Sequence, residues 1–426
     1  MGWEDGRPHE GSSRAGSSVT PGRSVTPDGA AAGVAPGYAQ VDADVPAAVR
    51  DRLRDWLAPR TAGAGALDET FAHDVAARLE RLALDGGKRV RPQFLWWALR
   101  GRTRPCATRT RAALDLSAAL ELLQCGALIH DDVMDGDLVR RGRPSVHAAV
   151  AGQYAADTTA DGRRRLGEAA AILAGDLALA WADDLIGELD LPATVTREVR
   201  ATWAVMRTEM VAGQYLDMHG ALTGTRTRAR AVRAACLRSA LYTVERPLHL
   251  GALLAGADAT TTAALRAAGR CAGLAFQLHD DVRDLFGDPA TAGLPGRPPG
   301  QDIRAGKPTY LIAVALARAE SSANTAAQQA LARHLGCAGL DADGLLAVRE
   351  AVTSTGAHRT VLRRIDQLLA LSRRHLLRAH LHADGHGRLL QLMHTAAGRP
   401  LPASPNGATP VTTPLAAPVR VTEGAS

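Results

Sequence analysis

Apolar positions recur along this chain at helical spacing. The recurrence predicts helices over residues 47–57, 68–84, 90–100, 108–135, 167–189, 195–220, 227–255 and 260–286. Shorter helices are expected at 308–319, 323–335 and 342–354, and a final longer one at 358–396. The pattern breaks where Gly and Pro cluster, at 101–105, 142–144 and 287–306. The last break is too rich in both residues for a helix. It directly follows an acidic cluster, which suits a lid as well as a plain surface loop. Residues 1–45 and 398–426 are dominated by Gly, Ser, Pro and Ala. They bury too little apolar area to offset the entropy of ordering, so both are expected to be disordered tails. Residues 46–397 contain no boundary signal and are expected to form one large helical bundle.

Composition supports the all-α reading. Hydrophobic residues make up 46% of the 426 and aromatics only 4%, so strand-type segments are scarce. Ala and Leu, the dominant apolar residues, are strong helix formers. The net charge of +6 arises from 50 basic and 44 acidic residues interspersed along the chain, which is not a nucleic-acid-binding stripe. Five cysteines, odd in number and never spaced as Cys-x-x-Cys, argue against a disulfide framework or a zinc site. With no apolar run of eighteen residues and no leader pattern, a cytoplasmic protein without a transmembrane segment is expected.

Chemistry concentrates in two places. The predicted helix 108–135 ends in Asp131, Asp132 and Asp135, and about 150 residues later Asp280, Asp281 and Asp284 repeat the spacing near another helix end. At about 100° per residue, each trio spans roughly a third of its helix circumference. Carboxylates so crowded repel one another unless cations lie between them, and hard oxygen donors suit magnesium. One such trio is equally well a solvated helix end; two of them suggest acidic walls facing one cavity. Asp183-Asp184 with Glu188 imitates the pattern loosely but is followed by no basic motif, so a polar helix face is expected there.

Basic residues complement the trios. Gly86-Gly87-Lys88-Arg89-Val90-Arg91-Pro92 opens a helix, where glycines let backbone N–H groups approach an anion and Lys88 and Arg91 share a face. Arg140, Arg141 and Arg143 follow the first trio closely. They offer either ion pairing with it or a diphosphate clamp of metal and guanidinium.

In combination and order, these motifs resemble the trans-isoprenyl diphosphate synthases, the family of farnesyl and geranylgeranyl diphosphate synthases. The resemblance runs over about residues 50–395, through GGKRVRP, ELLQCGALIHDDVMDGDLVRRGRPSVH, AILAGD, EMVAGQYLD, QLHDDVRDLFGD and GQDIRAGKPTY. It implies the isoprenoid synthase fold, a helical bundle around a central cavity, usually in a homodimer. It further implies that Asp131, Asp132, Asp135, Asp280, Asp281 and Asp284 hold three magnesium ions around an allylic diphosphate. By the same resemblance Lys88, Arg91, Gln124 and Arg141 bind isopentenyl diphosphate, while Arg140, Gln277 and Lys307 grip the allylic diphosphate. Arg238-Ser239 stands where the family has Lys-Thr, and Arg297 where it has Lys. Both replacements keep the charge and change the donor geometry.

The implied reaction ionises the allylic C–O bond, with metal, Arg and Lys stabilising the departing diphosphate. The double bond of isopentenyl diphosphate attacks the cation, Ser239 and Gln277 orient it, and the released diphosphate takes the proton. Residues one turn before Asp131, Gly126 and Ala127, are small where fifteen-carbon enzymes carry an aromatic. A helical turn of about 5.4 Å nearly matches one isoprene unit. Geranylgeranyl diphosphate is therefore the expected main product, with longer chains left open; Leu123 and Leu120 are the next candidate floors, unless another helix supplies the floor. A terpene cyclase typically carries a different second metal motif, and a His-Asp phosphohydrolase needs dispersed histidines. A non-catalytic partner subunit usually loses one trio.

Overall fold

The computed structural model describes residues 36–85, 87–156, 158–287 and 299–401. The chain begins with helices α1 (Tyr38–Ala43), α2 (Val45–Leu67) and α3 (Glu69–Phe71), a wide π turn at Ala72–Ala76, α4 (Ala77–Leu84) and α5 (Val90–Arg100). Next come α6 (Ala107–Asp135), a two-strand hairpin of β1 (Val139–Arg140) and β2 (Arg143–Pro144), and α7 (Val146–Gln153). Long helices α8 (Ala160–Gly187) and α9 (Ala193–Thr223) follow, then α10 (Arg228–Ala235), a second π segment at Cys236–Glu245, and α11 (Arg246–Ala255). The chain continues with α12 (Ala259–Phe286), α13 (Gln301–Arg304), α14 (Tyr310–Ser321), α15 (Thr325–His334), α16 (Ala342–Ser354), α17 (Ala357–Leu377) and α18 (Ala383–Ala396). The fold is all-α, as the sequence predicts.

Helix α6 is the hub. It is apolar and long enough to cross a membrane, but it is mostly buried and serves as the core helix. Small residues on α8 (Ala171, Ala174, Gly175, Ala178) are buried along its length, so α6 and α8 pack closely, while Gly167 lies against His147 of α7. On the other side of the bundle, α12 presents Gly269 and Gly273 four residues apart. A Cβ on Gly273 would lie 2.3 Å from the carbonyl oxygen of Ala240, and one on Gly269 would lie 2.7 Å from Cα of Glu245. The two glycines thus let the π segment lie against α12. One and two turns further along the same face come Gln277 and Asp281. Gly273→Ala must push backbone apart, so it is expected to cost about 1–3 kcal/mol, as overpacking of a tight core does. A thermal melt unchanged from the parent would refute this.

Several boundaries differ from the sequence expectation, each for a local reason. The expected helix 47–57 runs on to Leu67 through Pro59. Leu57 and Ala64 stay buried on one stripe, and the Arg60 guanidinium stacks 3.3 Å from the Trp56 ring centroid. The segment expected to be disordered up to residue 45 contains α1. There Val41 is fully buried, and Asp42 accepts from Trp96 Nε1 at 2.8 Å and from Arg100. The expected helix 227–255 is widened into the π segment just before Pro247, whose missing N–H removes a ladder bond. The expected helix 358–396 is split at 378–382, where His380 takes φ +46° and His382 N–H donates to Gly101 O at 2.7 Å. The 142–144 break is the hairpin turn, with positive φ at Arg141 and Gly142. In the 287–306 break, the described end forms the single turn α13; residues 288–298 lie outside the described residues. The expected tail segments 1–35 and 402–426 lie outside them as well.

Candidate active site

A cavity of about 620 Å³ lies between α6, α9, the π segment and α12. Asp131 on α6 and Asp280 and Asp284 on α12 line it, with Arg140, Arg238, Ser239, Gln277 and Lys307. Both acidic helix ends therefore meet at one space.

Within each trio the three carboxylates do not act alike. Asp131 lines the cavity and accepts from Gln214 Nε2 at 2.6 Å. Burial by itself would raise its pKa, but Lys307, Arg238 and Arg140 overcome that and hold it below the ordinary value. Asp135 is bound by Lys307 Nζ at 2.6 Å, and burial raises its pKa. Asp132 turns inward. It is 3% exposed, accepts from Arg140 Nε at 2.7 Å, and burial pushes its pKa up to about 6. Asp281 does the same on α12. It accepts from Gln277 Nε2 at 3.0 Å and from Tyr310 N–H at 3.2 Å, with its pKa pushed up to about 8 by burial.

Of the six aspartates expected to hold metal, Asp131, Asp280 and Asp284 line the cavity, while Asp132, Asp135 and Asp281 are held by neighbouring side chains. Asp132 and Asp281 are off the cavity wall and brace Arg140 and the start of α14. Successive helical residues lie about 100° apart, so neighbouring aspartates cannot share one direction. Arg140 lines the cavity while bound to Asp132 and to Asp137 at 3.4 Å, so the ion-pairing reading of the arginines holds in part. Among the described residues no three metal-ligating side chains converge on one point.

A second group of cations lies beside the cavity. Arg91 and Gln124 line it. Arg91 Nη2 donates to Thr243 Oγ1 at 3.0 Å, and its guanidinium sits 4.1 Å from the Tyr242 ring centroid. Lys88 is exposed and Arg141 half-buried; neither lines the main cavity. Arg141 donates to Leu82 O at 3.3 Å, and a Cβ on Gly87 would lie 3.6 Å from its Nη2. Arg297 lies outside the described residues.

Two acids were missed by the sequence reading. Asp217 accepts from Arg238 Nη1 at 2.9 Å and lies 3.8 Å from Lys307 Nζ. Asp302 places its backbone N–H 3.1 Å from an Asp284 carboxylate oxygen, folding α13 over the second trio. Both lie inside motifs already singled out (EMVAGQYLD and GQDIRAGKPTY), which was the available signal. The look-alike Asp183 and Glu188 are structural: they accept from the indoles of Trp203 at 2.6 Å and Trp56 at 2.9 Å.

The two small residues before Asp131 also separate. Ala127 lines the cavity. Gly126 faces α8, where a Cβ would meet Gly175 O at 3.0 Å and Leu179 at 3.2 Å. Leu120 and Leu123 are fully buried and do not line the cavity, whose apolar lining includes Met210 of α9 and Phe276 of α12.

Residues 74–339 match the family model for polyprenyl synthetase. The chain belongs to that family. A farnesyl diphosphate synthase of Geobacillus stearothermophilus is 33% identical over 278 residues, 63% of this chain and 84% of that one. A geranylgeranyl diphosphate synthase of Methanosarcina mazei is 32% identical over 233 residues, 53% of this chain and 63% of that one. The solved geranylgeranyl pyrophosphate synthase of Corynebacterium glutamicum, complexed with isoprenyl diphosphate and magnesium, is 34% identical and superposes with a TM-score of 0.76. That likeness covers 83% of this chain and 98% of the other. The polyprenyl synthetase body thus extends across the described helices, and its chemistry is that of a prenyltransferase acting on isoprenyl diphosphates.

Proposed function

We propose that the chain condenses isopentenyl diphosphate with an allylic diphosphate, in the presence of magnesium, to make all-trans geranylgeranyl diphosphate. One observation carries the reading: two acidic helix ends share a cavity with Lys307, Arg238 and Arg140, and Arg91 of α5 adds a further cation to the lining of that cavity, with Lys88 and Arg141 outside it. Two diphosphates of different fate need two sets of cations. Asp131, Asp135, Asp280 and Asp284 fit magnesium by donor chemistry, and the metal, when bound, supplies charge that stabilises a departing diphosphate. Arg140, Arg238 and Lys307 bind the allylic diphosphate and take up the negative charge it gains as the C–O bond breaks. Ser239 and Gln277 turn oxygen dipoles toward the allylic cation. Arg91, Gln124, Lys88 and Arg141 hold isopentenyl diphosphate with its double bond against that cation. The diphosphate released at Lys307 accepts the proton lost at the new bond.

The longer product follows from Ala127, whose methyl leaves room along the cavity wall. A homodimer belongs to the same reading, supported by Ile172 and Leu173 of α8 and Val205 of α9, all apolar and exposed. A cytoplasmic setting is in keeping with the five free cysteines. The test is incubation with isopentenyl diphosphate and dimethylallyl, geranyl or farnesyl diphosphate, with and without magnesium, followed by mass spectrometry of the products. A twenty-carbon diphosphate formed only with magnesium is expected. Hydrocarbon from one allylic diphosphate alone, or phosphate without a longer chain, would overturn the reading.

A further inference from the structure

Beneath the second cation group lies a buried ion pair that the reaction does not use. Arg89 is 4% exposed and Glu121 is 6% exposed, and Arg89 Nη1 donates to Glu121 Oε2. Burying two charges is unfavourable unless their remaining hydrogen-bonding capacity is met, and such pairs are best explained where they fix a geometry. Here the second Arg89 nitrogen, Nη2, donates to the carbonyls of Ala83 and Leu84 at the end of α4. One guanidinium therefore ties the last turn of α4 to the middle of α6.

The loop between these ties carries the cations. Gly87 has φ +35° and Arg89 has φ +46°, which puts a non-glycine residue in the left-handed region just before α5. Such a conformation persists only where its surroundings over-determine it. Arg89 supplies that restraint with its side chain, and Gln93 Nε2 adds a bond to Lys88 O at 2.7 Å. The residues thereby fixed are Lys88 on one side of Arg89 and Arg91 on the other. Arg141 completes the group, held by Leu82 O, which immediately precedes the carbonyls that Arg89 grips. Glu121 is a carboxylate bonded to Arg89 and within the electrostatic reach of Arg141. It offsets part of their repulsion while leaving them a net positive charge.

We propose that Arg89 and Glu121 are positioning residues for the isopentenyl diphosphate site, setting the spacing of Lys88, Arg91 and Arg141 without touching substrate. The inference rests on the proposed assignment of those three cations to isopentenyl diphosphate. The allylic site is built from Arg140, Arg238, Lys307 and the acidic ends of α6 and α12, and the hydrogen bonds of Arg89 go instead to Glu121, Ala83 and Leu84.

The experiment measures KM for each substrate separately in Arg89→Lys and Glu121→Gln, alongside thermal melts. Both variants are expected to raise KM for isopentenyl diphosphate by about tenfold and to leave the allylic KM within about twofold, the pattern of a displaced binding site. An isopentenyl KM unchanged in a folded variant overturns the proposal. Both KM values rising together with a lower melt also overturns it, because that is what a merely structural pair would do. Should Arg89→Lys fail to fold, the near-isosteric Glu121→Gln decides by the same criteria. Lys88→Met and Arg91→Met serve as direct-contact controls. If these leave isopentenyl binding intact, the site assignment itself has failed, and the positioning role falls with it. If the controls respond and the buried pair does not, only the positioning role is lost.

Discussion

Asp131→Ala is expected to lower kcat by about a thousandfold or more, roughly 4 kcal/mol of transition-state stabilisation. Asp131 is the member of its trio that lines the cavity, is kept ionised by Lys307, Arg238 and Arg140, and is oriented by Gln214. A departing diphosphate gains charge as its C–O bond breaks, so a cation held there by Asp131 acts most strongly in the transition state. The loss should therefore fall on kcat at saturating substrate more than on KM. Asp132→Ala is the instructive comparison. It removes the buried partner of Arg140, so its effect should include a lower melting temperature, which Asp131→Ala should largely lack. Steady-state kinetics with excess magnesium reads the first effect and thermal denaturation the second. A loss of less than tenfold for Asp131→Ala would remove it from the metal-binding set.

The second large effect concerns product length. Ala127→Phe is expected to shift the main product down by one isoprene unit or more, because its side chain enters the cavity one helical turn from Asp131. A turn of about 5.4 Å is close to the length of that unit. Gly126→Phe is expected to behave differently: its ring would run into the Gly175 backbone and Leu179 on α8, not into the cavity. Overpacking of this kind costs about 1–3 kcal/mol and should lower the melting temperature with little change in product. Mass spectrometry of the products and a melt of each variant check both halves. Unchanged product from a folded Ala127→Phe would move the length determinant to the rest of the apolar lining, where Met210 and Phe276 are the next residues to enlarge.

Much of this protein was legible from sequence because the signals are local. Helical periodicity placed α5, α6, α9, α12, α14 and α16 to within a few residues, since an amphipathic stripe is written in adjacent turns. The two acidic trios, the flanking arginines and Lys307 were legible as short runs, and their combination and order along the chain gave them their meaning. What the tertiary structure decided is which way each member of a run points. Asp131 faces the cavity while Asp132 turns to Arg140, and Ala127 faces the cavity while Gly126 packs on α8. These adjacent residues differ by about 100° on one helix, and only the position of the partner helices says which direction is inward. The π segment, the split between α17 and α18 and the docking of α1 likewise depend on contacts between distant residues, such as His382 with Gly101 and Asp42 with Trp96. The sequence determined the helices and the set of charged groups; packing determined which of those groups face one another across the cavity.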